Sequence, residues 1–173
     1  MRLQIVPFGE IPTEVLSAIS EELELSFRIF SDISEPKGLP KEYYNPYRHQ
    51  YVAPQILDFL FEEFKGRVLA VTDQDLFAED LNFVFGQAQM NGRVAVISIC
   101  RLNPTFYRQA FNKKLLIERA VKEAVHEVGH MAFGLTHCPD PNCVMSFSNT
   151  IFDVDRKSKE VCKSCKRKAG LFD

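Results

Sequence analysis

The segment His126-Glu127-Val128-Gly129-His130 lies inside a stretch whose apolar residues recur at helical spacing, and the two together restrict the fold more than anything else in the chain. The spacing predicts one long helix over 107–133. At about 100° per residue, Ile117, Ala120, Val121, Ala124, Val125, Val128, Met131 and Ala132 share one face, ready to bury against a sheet. Arg119, Glu123, His126 and His130 share the opposite face, toward a cleft. Histidines four residues apart project about 40° from each other, so both imidazoles can reach one tetrahedral Zn²⁺. Glu127 points about 80–100° away from that pair. From there it reaches a water on the metal without being a ligand, which is the position of a general base.

Ahead of this helix the chain reads as alternating strands and helices. Strands are predicted over 3–6, 28–30, 67–71, 81–85 and 93–102. Helices are predicted from Pro12 through Phe27 and over 53–64. The interval 35–51, rich in proline and tyrosine without a clear period, reads as a long loop. Asn91-Gly92 is a strong turn signal joining the last two strands. With 173 residues, 46% of them hydrophobic, and 15 Phe, the chain has material for one sizeable core. The order of elements predicts a single α/β domain over 1–173 whose sheet has mixed strand direction. No apolar run approaches the roughly 20 residues of a membrane span, and Pro7 and Gly9 come too early for a signal-peptide core. A net charge of −2 gives no general attraction to nucleic acid. A cytoplasmic protein with no membrane partner is expected.

Downstream, Gly134 suits the left-handed residue that stops a helix and turns the chain. His137 can then swing back as a third ligand, although a histidine taken alone there is more often a surface residue. Three protein ligands and one open position make a catalytic rather than a structural zinc site. Four of the five cysteines follow: Cys138 and Cys143, then Cys162 and Cys165. In a reducing compartment two such close pairs read as a closed structural zinc site rather than as two disulfides. Arg156, Lys157, Lys159, Lys163, Lys166, Arg167 and Lys168 surround the second pair, where cationic groups favour thiolates. The rival reading, a basic zinc ribbon on nucleic acid, is weaker because the stretch is short and carries no interleaved aromatics. Cys100, in the apolar run after Arg93, reads as a buried and inert thiol.

Together His126, Glu127, His130, Gly134, His137, Cys138, Cys143, Met145, Cys162 and Cys165 resemble the archaemetzincins, with the motif match spanning 125–165. The resemblance implies a metzincin-like mixed sheet with an antiparallel edge strand, a backing helix and an active-site helix, plus a small C-terminal zinc-bound segment. It divides the domain into an N-terminal subdomain, 1–130, and a C-terminal subdomain, 131–173. It implies two Zn²⁺ per chain, a catalytic one on His126, His130 and His137 and a structural one on the four cysteines. Met145 then sits in a tight turn beneath the catalytic metal. The implied activity is hydrolysis of peptide or protein substrates with Glu127 as the base, an extended substrate pairing with an exposed strand over 81–85. Latency through an N-terminal cysteine is not expected, since no cysteine precedes Cys100.

One departure stands out. The metzincin pattern has glycine three residues after the second histidine, whereas Gly134 comes four after His130. In an unbroken helix the extra residue rotates the exit by about 100°. A π-bulge near 131–133 absorbs it, or Phe133 takes the turn, or His137 misses the metal. The last outcome leaves a catalytically silent, zinc-stabilised scaffold protein.

Overall fold

The computed structural model describes residues 1–172. In chain order its elements are β1 (Arg2–Phe8), α1 (Thr13–Phe27), β2 (Phe30–Ile33), β3 (Tyr44–Asn45), β4 (Gln50–Val52), α2 (Ala53–Glu63), β5 (Val68–Thr72), β6 (Leu76–Phe77), β7 (Gly86–Ala88), β8 (Val94–Ser98), α3 (Lys113–Phe133), α4 (Ile151–Arg156) and α5 (Lys163–Lys168). Every residue of β5 and β8 is buried, as expected of strands covered on both faces. The main sheet runs β2-β1-β5-β8-β7, parallel throughout except for the antiparallel edge strand β7. Alternation along β5 splits the core in two. Leu69 and Val71 pack with α1 and α3 on one face, while Val68 and Ala70 pack with Ile56 and Leu60 of α2 on the other.

Helix α3 starts six residues later than its apolar spacing predicts. Residues Pro104–Tyr107 form a separate 3₁₀ turn ended by a left-handed Arg108. Asn112 then caps α3, its Oδ1 accepting from Leu115 N–H at 3.1 Å. Two further expectations are corrected. The interval 35–51 is not all loop, because β3 pairs with β4, and β4 with β6, in a small second sheet. The interval 81–85 is not a strand. Its first two carbonyls are held by side chains: Arg48 Nη2 donates to Leu81 O at 3.0 Å and Asn82 O at 3.1 Å, and Gln50 Nε2 donates to Asn82 O at 2.9 Å. The edge strand instead lies at β7, joined to β8 through Asn91 and Gly92 as the turn signal indicates.

The end of α3 settles what the extra residue does. Phe133 stays helical and Gly134 takes the left-handed turn, with φ 61°. Leu135 N–H donates to Gly129 O at 3.2 Å, a closure spanning one residue more than the usual Schellman bond. The helix runs through Phe133 without the π-bulge, and the additional residue is taken up by a wider closing turn. A Cβ on Gly134 would overlap the amide of Asn91 besides straining φ. Gly134→Ala is therefore expected to lower the thermal midpoint by about 3–8 °C, equivalent to ~1–2 kcal/mol, and calorimetry against the parent checks it. Among the described residues no helix is long and apolar enough to cross a membrane.

Candidate metal centres

The wide turn brings Leu135 back across the helix end, so that its carbonyl meets His130 Nδ1 at 2.5 Å. His126 Nδ1 meets Val144 O at 2.8 Å. Because both partners are carbonyl oxygens, both Nδ1 atoms carry the proton and both Nε2 atoms present lone pairs. Those Nε2 atoms stand 3.0 Å apart. Two lone pairs at that distance repel unless a cation lies against both. Burial holds His126 well below the usual imidazole range, with Lys157 and His130 adding to the effect, and burial also lowers His130. A proton is thus a poor candidate for that cation. Tetrahedral zinc bonds of ~2.0–2.1 Å set neighbouring nitrogens about 3.3 Å apart, close to what is seen.

His137 joins the pair: the ligand atoms of His126, His130 and His137 all lie within 4.8 Å of one another. Its ring lies tilted at 49° to that of Phe147, with centroids 5.2 Å apart, and the rings of His126 and His130 are at 5.4 and 5.0 Å. Met145 is wholly buried below α3. A Cβ on Gly129 would come within 2.5 Å of Met145 Sδ, so glycine at this helical position is what lets the methionine turn approach so closely. Cys138 N–H donates to Met145 O at 2.9 Å, tying that turn to the residue after His137.

His126, His130 and His137 line a cleft of about 600 Å³ together with Glu127, Leu81, Phe83, Met90 and Phe147. Glu127 is 5% exposed. Burial pushes its carboxyl well above the usual range, the Glu123 carboxylate pushes the same way, and Lys157 opposes them. Of the remaining polar-face residues of α3, Glu123 lines the cleft as well and Arg119 goes elsewhere. Arg119 does not open on the cleft; it is buried in a bidentate pair with Asp155, both bonds 2.8 Å.

The second cluster is Cys138, Cys143, Cys162 and Cys165, with all four sulfurs within 4.8 Å of one another. Sγ–Sγ distances are 3.8 Å for Cys138–Cys162 and 4.0 Å for Cys143–Cys165. Disulfides are excluded at such lengths, whereas sulfurs on one tetrahedral zinc at ~2.3 Å stand about 3.8 Å apart. Burial raises the Cys143 and Cys165 thiols. Cys162 shifts the other way: against its own burial, the Cys165 N–H and the neighbouring thiols hold it below the usual range. The donor sets of both clusters therefore fit zinc, one closed by four sulfurs and one left open on the cleft side.

Two features of the surroundings differ from expectation. Lys157 does not belong to the basic shell of the cysteines; it is fully buried beside His126. Lys159 reaches across to Glu22 of α1 at 2.6 Å and Arg156 pairs with Asp153, so of the basic residues there those of α5 share a helix with Cys165. Sequence reasoning missed Lys157 as a cleft residue altogether, since a lysine within a run of cations carries no local mark of burial. Cys100 is half-buried rather than buried as expected, and its thiol is pushed up to about 11 by that burial and then by Asp75.

Comparison with known proteins agrees with this geometry. The profile described as "Peptidase family M54" matches residues 35–170. An archaemetzincin from Pyrococcus furiosus is 47% identical over 173 residues, covering 95% of this chain and 90% of its own length. Among solved structures, archaemetzincin from Methanopyrus kandleri superposes with a TM-score of 0.87 at 41% identity, over 98% of this chain and 93% of its own. A zinc-dependent peptidase from Methanocorpusculum labreanum gives 0.87 at 29% identity, over 96% and 99%.

Proposed function

Given that this chain belongs to peptidase family M54, the archaemetzincins, and is a zinc-dependent metallopeptidase of peptide or protein substrates, we propose that His126, His130 and His137 hold its catalytic zinc and that Glu127 is its general base. The observation that carries this reading is the pair of Nε2 lone pairs 3.0 Å apart, each fixed by a carbonyl on the far side of its ring. Bound there, zinc supplies Lewis acidity, making a water nucleophilic near neutral pH and polarising the scissile carbonyl. Glu127 accepts the proton of the attacking water and delivers it to the leaving amine. Val144 O and Leu135 O keep the two imidazoles in the donating tautomer throughout. The ground for a catalytically silent scaffold, a mis-aimed His137, is not favoured once the wider turn absorbs the extra residue.

Cys138, Cys143, Cys162 and Cys165 hold the structural zinc, and Met145 floors the histidine cluster. An extended substrate lies along β7. The register of β7 on β8 pairs Gln87 with Val96 and turns the backbone of Gly86 and Ala88 toward the cleft. The chain works as one catalytic domain, with 1–130 and 131–173 as subdomains on either side of that cleft. Four thiols kept reduced for a metal suit the cytoplasm, and neither a membrane nor nucleic acid is a partner.

Zinc content by native mass spectrometry, after zinc reconstitution, tests the assignment. The parent is expected to carry two zincs and His137→Ala one, with peptide turnover lost. One zinc in both proteins means the cysteine cluster alone is filled, and the catalytic reading falls.

A further inference from the structure

Lys157 and Glu123 form an ion pair that the reaction above does not use. The lysine side chain is 0% exposed and the glutamate 4%, with Nζ and Oε1 3.5 Å apart. A lysine so buried is rare, and well-packed apolar side chains fill such a place at least as stably. The pair is also loose: Glu123 Oε1 has no hydrogen-bond partner among the described residues. A contact kept only for stability would be expected to satisfy its own acceptors.

What distinguishes Lys157 is what its ammonium touches. Nζ lies 3.3 Å from Ser146 O, in the methionine turn, and 3.5 Å from His126 Nδ1 on α3. Glu123 stands three residues before His126 on the same helix. The ammonium therefore bridges the turn and the helix on whose separation the His126 Nδ1–Val144 O bond depends. It is aimed there by firm local structure. The capping box of Thr150 and Asp153 starts α4, Arg119 holds Asp155, and Ser158 N–H donates to Asn142 O at 2.9 Å immediately after Lys157.

We propose that Lys157 is a positioning residue of the catalytic centre: bridging Ser146 O and Glu123, it fixes the distance between the methionine turn and α3 and so the orientation of the His126 ring on Val144 O. The proposal rests on the reading of His126 as a zinc ligand. Lys157 meets His126 on the Nδ1 side of its ring, away from the Nε2 that would hold the metal. Groups that hold a ligating imidazole from behind its ring typically govern metal affinity and turnover together.

The test uses the full chain with Lys157→Met, an unbranched side chain one atom shorter and without the charge, and the double variant Lys157→Met/Glu123→Gln, which also leaves no unpaired buried charge. Zinc affinity of the histidine site is measured by chelator competition, kcat and KM on a fluorogenic peptide, and the thermal midpoint by calorimetry. The double variant is expected to melt close to the parent, to bind histidine-site zinc about 10–100-fold more weakly, and to lose kcat at saturating zinc with KM nearly unchanged. A double variant with parental zinc affinity and kcat overturns the proposal and makes the pair a packing device only. Should Lys157→Met alone prove too unstable, the double variant decides. Failure of the underlying reading shows separately, as a parent protein whose histidine site takes up no zinc.

Discussion

Glu127→Gln is expected to lower kcat on a peptide substrate by about 10²–10⁴-fold while zinc content stays at two per chain. The amide has nearly the shape of the carboxylate, so the packing of this 5% exposed side chain survives. It cannot take a proton from water, so the lost function is proton transfer alone. Glu127 is outside both ligand clusters, so neither metal loses a donor. Removing its charge also relieves the opposition of Glu123, and the folded protein is expected to be no less stable than the parent. KM is expected to move little, because the step removed belongs to the transition state. Stopped assays with parallel metal analysis separate the two quantities. A variant as active as the parent removes Glu127 from the mechanism.

The largest loss of stability is expected from Cys165→Ser. Beyond His137 the chain has little regular structure: α4 and α5 are six residues each, and the buried side chains there include Cys143 and Cys165 themselves. Such a segment folds around its metal, so binding free energy is folding free energy, ~10–16 kcal/mol for small structural zinc sites. Weakening that site by even a few kcal/mol lowers the melting point of a chain this size by about 10 °C. The effect is expected to spread, because His137 and Cys138 are consecutive and Val144 O, which orients His126, follows Cys143. Cys165→Ser should therefore lose both zincs and all turnover, whereas His137→Ala loses one zinc and keeps the C-terminal fold. Native mass spectrometry and calorimetry read this asymmetry. A Cys165→Ser protein that retains histidine-site zinc and activity shows that the two centres are independent.

Much of the site was legible because its causes are local. The stripe from Ile117 to Ala132 and the i, i+4 histidines follow from helical geometry, and the two cysteine pairs from ligand spacing. What escaped has non-local causes. Residues 81–85 alternate apolar side chains as a strand does, but the carbonyls of Leu81 and Asn82 are bonded to Arg48 and Gln50, more than thirty residues earlier. The real edge strand, Gly86–Ala88, contains a glycine and an alanine and exists because β8 is there to pair with it. The start of α3 was misplaced because apolar spacing continues through Tyr107, while the chain is turned by the left-handed Arg108 and restarted by Asn112. Lys157 could not be found from charge pattern at all. Its burial is set by α4, and α4 is set by its bonds to α3.

The hairpin between β7 and β8 has a second duty. Asn91 N–H donates to His130 O at 3.1 Å, and the Asn91 amide packs against Gly134. A surface turn is usually the place where a protein tolerates insertions and deletions. Here one added residue would pull the amide off the carbonyl of a histidine in the metal cluster and push a side chain into the turn that carries the chain on to the next. Loop length at 89–92 is thus under the same restriction as the active site, and a library of length variants at this hairpin should be as depleted in active clones as one made at the histidines themselves.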